Sequence, residues 1–333
     1  MAPSPPLQDQ ILTYAETQAA LVRVEERLRL SPVRQPWKAR MALAERQALA
    51  AADSLELPED AVSIDGRGRV VTSAYDLTHW KAAIGVSVPL DTLRGDPNAL
   101  LAWLGTDRWT DRDIGDRIAA IDRWCQACRA LPPSPPLLHS ARIAALWRQH
   151  APLGRGDLVA SLLIGDRWGP GRWSGSQGGL IALGLRHVGG LWKVARGANL
   201  DRIWLDAIRA GAQAHCEWEV RLRSYAQRAS THLAARRRPG RLKDLLLFAM
   251  ARPFVTSSHV AERLGLTSAG AIKLLTIAVG EGLLLERTGQ ASYRRYMIPV
   301  SAPSPVVGRP SRDPFEPDFW EQEAENTLFP APL

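Results

Sequence analysis

Positive charge gathers near the carboxyl end of this sequence. Between Arg236 and Pro299 stand eleven basic residues, at 236, 237, 238, 241, 243, 252, 263, 273, 287, 294 and 295. Four acids, at 244, 262, 281 and 286, oppose them, a difference of +7. The whole 333-residue chain carries 42 Lys and Arg against 34 Asp and Glu, a net +8. Nearly all of the excess therefore lies in one segment. Cations concentrated in this way give salt-sensitive affinity for phosphate, provided they share a face. The run Arg236 to Arg238 also reads as a solvated helix end, where the macrodipole favours cations.

The elements that must position these charges follow a regular order. Leu242 to Ala251 is an apolar helix that Pro253 terminates. Thr256-Ser257-Ser258 can cap a second helix, His259 to Leu264. Gly265 supplies a sharp turn, and Leu266 and Thr267 lead into a third helix that Gly282 ends. Val260, Leu264, Leu266, Ala271 and Leu274 are the expected shared core. Leu283 to Thr288 and Ser292 to Ile298 are strand-like and meet across Gly289-Gln290.

Three helices and a hairpin in this order resemble a winged helix-turn-helix. The likeness implies that the third helix enters the major groove of duplex DNA, with Thr267, Ser268, Ala269, Ile272, Lys273 and Thr276 outward. Thr267, Ser268 and Thr276 would face base edges, and Lys273 a phosphate. Ser257 and Ser258 join the candidate DNA contacts from the second helix. Arg287, Arg294 and Arg295 on the hairpin would touch backbone or minor groove. The outward set lacks Arg, Asn and Gln, the side chains best suited to paired base contacts. Affinity is therefore expected from phosphates, with modest base reading. Units of this kind also bind proteins, so an interaction adaptor is an alternative.

Other residues could do different chemistry. Ile143 to Leu163 has a helix-loop-helix shape with His150, Gly154, Arg155 and Gly156. It resembles the core of Fic-type nucleotidyl transferases, where the histidine is the general base. Ala151 stands where that family has proline, Arg155 where it has asparagine, and no acid lies between His150 and the glycines. The likeness implies a degenerate scaffold, with transfer by His150 as an alternative function. Cys125-Gln126-Ala127-Cys128 lies inside a helical segment and has no second pair, and Cys216 beside His215 adds too few ligands for zinc. No metal and no cofactor is expected. Gly165 to Gly179, with Arg167 and Arg172, reads as a solvent loop without the Lys-Ser/Thr ending of a nucleotide loop.

The rest of the chain is expected to be helical. Ile11, Tyr14, Leu21, Val24 and Leu28 recur at helical spacing until Ser31-Pro32. Further helices are expected over Trp37 to Leu55, Tyr75 to Ile84, Pro97 to Leu104, Asp111 to Leu131, Ser140 to His150 and Asp157 to Ile164. Pro58 to Thr72 reads as a small hairpin or a loop. A segment from Asn199 to Arg238 would span roughly 60 Å at 1.5 Å per residue, enough for a lever between domains, with a kink allowed at Gly211. The expected division is 1–9 disordered, 10–131 helical, 132–238 helical and Fic-like in part, 240–299 winged helix-turn-helix, and 300–333 a disordered acidic tail.

Three cysteines form no disulfide framework and suit a reducing cytoplasm. No run approaches ~20 apolar residues, so no membrane span is expected, and Met1 to Pro6 lacks the pattern of a secretory signal. The chain also resembles a family of alphaproteobacterial proteins, often plasmid-borne, that join a helical N-terminal region to a C-terminal helix-turn-helix. That likeness rests on Arg23-Val24-Glu25-Glu26-Arg27-Leu28-Arg29-Leu30-Ser31-Pro32-Val33-Arg34 with Trp37 and Arg40. It continues through Leu246 to Ala251, Arg252-Pro253, Val260-Ala261-Glu262-Arg263-Leu264-Gly265 and Gly289 to Ile298. It implies a mainly α fold, binding of double-stranded DNA and a role in transcription regulation, and it transfers no catalytic chemistry. The helical region is expected to dimerise or to sense a ligand.

Overall fold

The structure is a computed structural model that describes residues 7–52, 62–64, 70–72, 83, 93, 95–105, 111–154, 157–170, 178–189, 192–236, 240–287 and 294–300. It is mainly helical. In chain order the elements are α1 (Leu7–Leu30), α2 (Arg34–Ala52), β1 (Val62–Ile64), β2 (Val70–Thr72), α3 (Pro97–Trp103), α4 (Asp111–Arg129), α5 (Pro136–His150) and α6 (Asp157–Trp168). Then follow α7 (Leu180–Val188), α8 (Gly197–Ala234), α9 (Leu242–Met250), α10 (Ser257–Leu264), α11 (Ser268–Gly280), β3 (Leu285–Glu286) and β4 (Tyr296–Met297). Among the described residues no single helix is long and apolar enough to cross a membrane.

Two compact units divide the chain. One takes the residues up to Glu26, then Ala42–Ser63 and Thr72–Ala214. The other takes Arg27–Met41, Ile64–Val71 and the chain from His215 onward. The expected tail from residue 300, the helix over Tyr75 to Ile84, and Arg155, Gly156, Arg172, Arg237 and Arg238 fall outside the described residues, as do all of 1–6 and, of the tail and helix, all but Val300 and Ala83.

Three buried indoles of the first unit have hydrogen-bonded nitrogens. Trp124 and Trp147 meet edge to face with ring centres 4.9 Å apart, an arrangement that aromatic quadrupoles favour. Trp124 donates to the Ile143 carbonyl at 3.2 Å, Trp147 to Asp157 Oδ1 at 2.9 Å, and Trp204 to Ser140 Oγ at 3.0 Å. Each bond removes the penalty of a buried unpaired donor.

Several expectations are corrected. α1 begins at Leu7, inside the segment expected to be disordered. Its stripe is buried at Leu21, Val24 and Leu28, but Ile11 is 62% exposed. The helix expected to end at Ile164 runs on to Trp168, so the first residues of the expected glycine loop are helical and buried. Gly165 is there because the Trp204 ring occupies the space a Cβ would need. α7 had no sequence expectation of its own. Helix α8 is unbroken at Gly211, where the sequence allowed a kink.

The crossing of α7 and α8 explains two glycines. A Cβ on Gly184 would collide with the Ala207 backbone, and one on Gly211 would lie 2.5 Å from the Leu180 carbonyl oxygen. Helix propensity favours Ala over Gly by ~1 kcal/mol. At Gly184 packing reverses that sign, and Gly184→Ala should destabilise by ~1–3 kcal/mol or more. The check is a lowered unfolding midpoint in thermal melts.

Asp157 supplies a second prediction. It opens α6, is 7% exposed, and accepts from Trp147 and from the Leu153 N–H through Oδ1, while Oδ2 is buried without a partner. Burial pushes its carboxyl up to about 6, against the hydrogen bonds from Leu153 and Trp147. The folded chain therefore keeps a proton that the unfolded chain has already released above about pH 4. Stability falls as pH rises through this window and the loss is complete above about pH 6. Asp157→Asn keeps an acceptor and removes the titration. Urea unfolding of the two proteins should show the variant gaining ~2–3 kcal/mol on the wild type between about pH 4 and pH 7.

Candidate nucleic-acid interface

The site lies in the second unit and is built from α9, α10, α11 and the strands that follow. Thr256 Oγ1 accepts from the His259 N–H at 3.3 Å and caps α10, which starts at Ser257 rather than His259. The helix buries Val260 and Leu264. Gly265 then takes φ +61°, a left-handed conformation that closes the helix with its N–H on the Ala261 carbonyl. After Gly265-Leu266-Thr267 the chain leaves in α11 at 111° to α10. Thr267 Oγ1 accepts from the Gly270 N–H at 3.1 Å. The hydroxyl expected at a base edge is thus a helix cap, though its residue is exposed.

Helix α11 buries Ala271, Leu275 and Ala278. Leu266 and Leu274, expected in the core, are only half-buried, because the inward face of α11 runs 271, 275, 278. Ser268, Ala269, Ile272, Lys273 and Thr276 are all exposed on the other side. Thr276 gives its hydroxyl proton to the Ile272 carbonyl at 3.0 Å. Ser257 is half-buried, and Ser258 is exposed with its Oγ 2.9 Å from Thr256 Oγ1.

The strands are shorter than the sequence suggested. β3 and β4 are antiparallel, with Leu285 opposite Met297 and Glu286 opposite Tyr296. Tyr296 also exchanges both backbone hydrogen bonds with Val255, at 2.8 and 2.9 Å. The connection between α9 and α10 is thereby tied to β4. The Arg287 N–H bonds the Arg295 carbonyl at 2.9 Å, which sets these two residues opposite each other. The expected turn at Gly289-Gln290 falls outside the described residues.

The cations are less open than their number suggests. Arg294 lies 3.4 Å from the Glu286 carboxylate, Arg241 pairs with Asp244 at 3.1 Å, and Arg236 pairs with Glu281 at 2.5 Å. Arg252 is buried, with its guanidinium 3.8 Å from the Phe248 ring centre. Arg295 is half-buried and stacks 4.5 Å from the Phe254 ring centre. Arg287 is exposed and donates through Nε to Met297 Sδ at 3.1 Å. Lys273 is exposed and has no carboxylate within ion-pair distance among the described residues. Of these cations Lys273 and Arg287 are exposed with no carboxylate partner among the described residues, and Arg295 is half-buried against Phe254.

Helix α8 holds the whole arrangement from behind, through residues that the sequence did not single out. Tyr225 donates to the Leu283 carbonyl at 2.8 Å, and His232 and Arg236 both meet Glu281, the residue that ends α11. Desolvation pushes the Tyr225 hydroxyl far above its ordinary value, so it stays a donor. Glu281 stood among the four acids of the basic segment, which is the only signal the sequence carried.

The Fic-like residues are dispersed in role. His150 ends α5 half-buried, and Ala151 follows with φ +43°. Asp157, the next acid, is engaged with Trp147 and Leu153. Cys125 and Cys128 are buried on α4. No family model matches the chain, and no curated protein matches it.

Removing the Tyr225 hydroxyl leaves the Leu283 carbonyl without its donor. Tyr225→Phe should lower stability by ~1 kcal/mol, and Glu281→Ala, which strips the partner from Arg236, by ~1 kcal/mol or less because the pair is partly exposed. Chemical denaturation of both variants checks this, with the Glu281 effect shrinking in high salt.

Proposed function

We propose that residues 240–299 form a winged helix-turn-helix that binds double-stranded DNA, and that the chain regulates transcription. One observation carries the reading: α10 and α11 stand at 111° across a three-residue turn with an exposed outer face on α11. Helix pairs at roughly 90–120° with such a turn present their second helix to the major groove. The tie from Val255 to Tyr296 supports it, since this isolated bridge fixes the connection between the first two helices against β4. Lys273, Arg287 and Arg295 supply phosphate contacts. Ser268, Ile272 and Thr276 meet the base edges with small, weakly selective side chains, so affinity exceeds sequence preference.

Ile272 is 51% exposed and Leu285 48% exposed. These apolar side chains favour a second reading, in which the same face docks on a protein. The full chain in a mobility-shift assay with random-sequence duplex at two salt concentrations separates the two. DNA binding predicts retardation that weakens with salt, and Lys273→Ala should lower the slope of log affinity against log salt by about one. Absence of salt-dependent retardation would discard the DNA reading in favour of the protein one.

A further inference from the structure

The first unit contains a cavity of about 660 Å³ between α5, the residues that precede α8, and the first turn of α8. That volume falls in the range of small-molecule sites. Four cations line it, Arg142, Arg148, Lys193 and Arg196, and no acidic residue does among the described residues. Gly197 and Leu200 line it too, so the start of α8 faces the same space. The first turn of α8 carries no acid, and the first backbone N–H groups of a helix lack intrahelical partners. Charge and helix end thus point one way: toward an anion.

Arg142 and Arg148 are held in place before any ligand arrives. Arg148 donates through Nη1 to the Trp192 carbonyl at 2.7 Å, and its guanidinium lies 4.7 Å from the Trp192 ring centre. Its Nε is buried with no partner. Arg142 bonds Asp201 at 3.2 Å, the one carboxylate paired with these four cations among the described residues. Burial and the neighbouring Arg196 both press the Arg148 guanidinium below its ordinary range, which is the mark of crowded cations without a counter-ion. Four cations against one carboxylate leave an excess that a single carboxylate ligand would not neutralise.

We propose that this cavity binds a small organic phosphate, its dianionic head on Arg148, Arg196, Lys193 and the first turn of α8, and its apolar body against Leu146 and Leu200. Two negative charges and several acceptor oxygens match guanidinium forks and a helix N-terminus together. The apolar side of the cavity excludes water from the ligand body. The site stands apart from the DNA reading, and each survives the failure of the other.

Phenyl phosphate is a suitable probe, with phenol and benzoate as comparators. Titration calorimetry and thermal unfolding of the full chain should show saturable binding and stabilisation by phenyl phosphate, a weaker effect of benzoate and none of phenol. Lys193→Glu and Arg196→Glu alter exposed side chains, and each should weaken phenyl phosphate at least tenfold. Unliganded thermal melts establish that both variants fold. Arg186→Glu makes the same charge change at an exposed residue that does not line the cavity and should leave binding within about twofold. The proposal fails if phenyl phosphate gives no saturable response, if phenol matches it, or if Arg186→Glu costs as much as Arg196→Glu. It fails also if duplex DNA displaces the probe in wild type and in Lys273→Ala alike, since the cations would then belong to a nucleic-acid surface.

Discussion

A carboxylate with almost no access to water governs the C-terminal unit. Glu219, 2% exposed, accepts from Arg27 at 2.9 Å and from the Ser31 hydroxyl at 2.8 Å, with Arg223 at 3.5 Å. A buried charge costs several kcal/mol unless its oxygens are satisfied. The end of α1 and the turn after it must therefore sit on α8. The same segment then adds Trp37, whose indole donates to the His215 carbonyl at 2.9 Å, and Arg40, whose Nε donates to the Met250 carbonyl at 2.9 Å. Met250 closes α9. From the other end of α8, Tyr225 and His232 reach Leu283 and Glu281. The exposed face of α11 is thus oriented by a chain of buried and part-buried hydrogen bonds that begins more than two hundred residues earlier in sequence.

This framework also redistributes charge. The +7 excess after Arg236 is a fact of composition, but a surface potential depends on where the charges end up. Arg236, Arg241 and Arg294 give theirs to carboxylates, and Arg252 is buried against an aromatic ring. Arg40, buried nearby, is held down to about 9 first by desolvation and then by Arg252. Cations in such places serve packing, through stacked guanidinium planes and hydrogen bonds to carbonyls. Under the proposed DNA reading, phosphate contacts would rest on a few exposed side chains, which makes the salt response of binding a sharper measure than its strength.

In the first unit the same side-chain types do other work. Arg148 sits over the Trp192 ring and lines a cavity, and Asp157 stays protonated to higher pH because its hydrogen-bond donors do not offset its burial. Indole nitrogens at Trp124, Trp147 and Trp204 turn an aromatic core into a directed one, since each ring has one orientation that satisfies its N–H. Small residues at Gly165 and Gly184 let these helices approach closely enough for that to happen.

Local chemistry made much of this visible in the amino-acid order. Ser31-Pro32 stops α1, Thr256 caps α10 and Gly265 turns the chain toward α11, whereas the start of α5 at Pro136, expected at Ser140, and the capping by Thr267, expected at a base edge, were not read. Caps, prolines and left-handed glycines act within four residues, and apolar spacing marked the outward side of α11 for the same reason. Length of helix at α6, the core role of Leu275 over Leu274, and the identity of each arginine's partner were not legible. They depend on which helix lies opposite: Trp204 against Gly165, Glu281 beneath Arg236, Glu286 beside Arg294. The cluster of Arg142, Arg148, Lys193 and Arg196 is the plainest case, four cations scattered over 55 positions that share a cavity only because α5 and the start of α8 line it together. Sequence determined the elements, because their ends are local; tertiary packing determined which charges meet solvent, because burial and pairing are properties of neighbours.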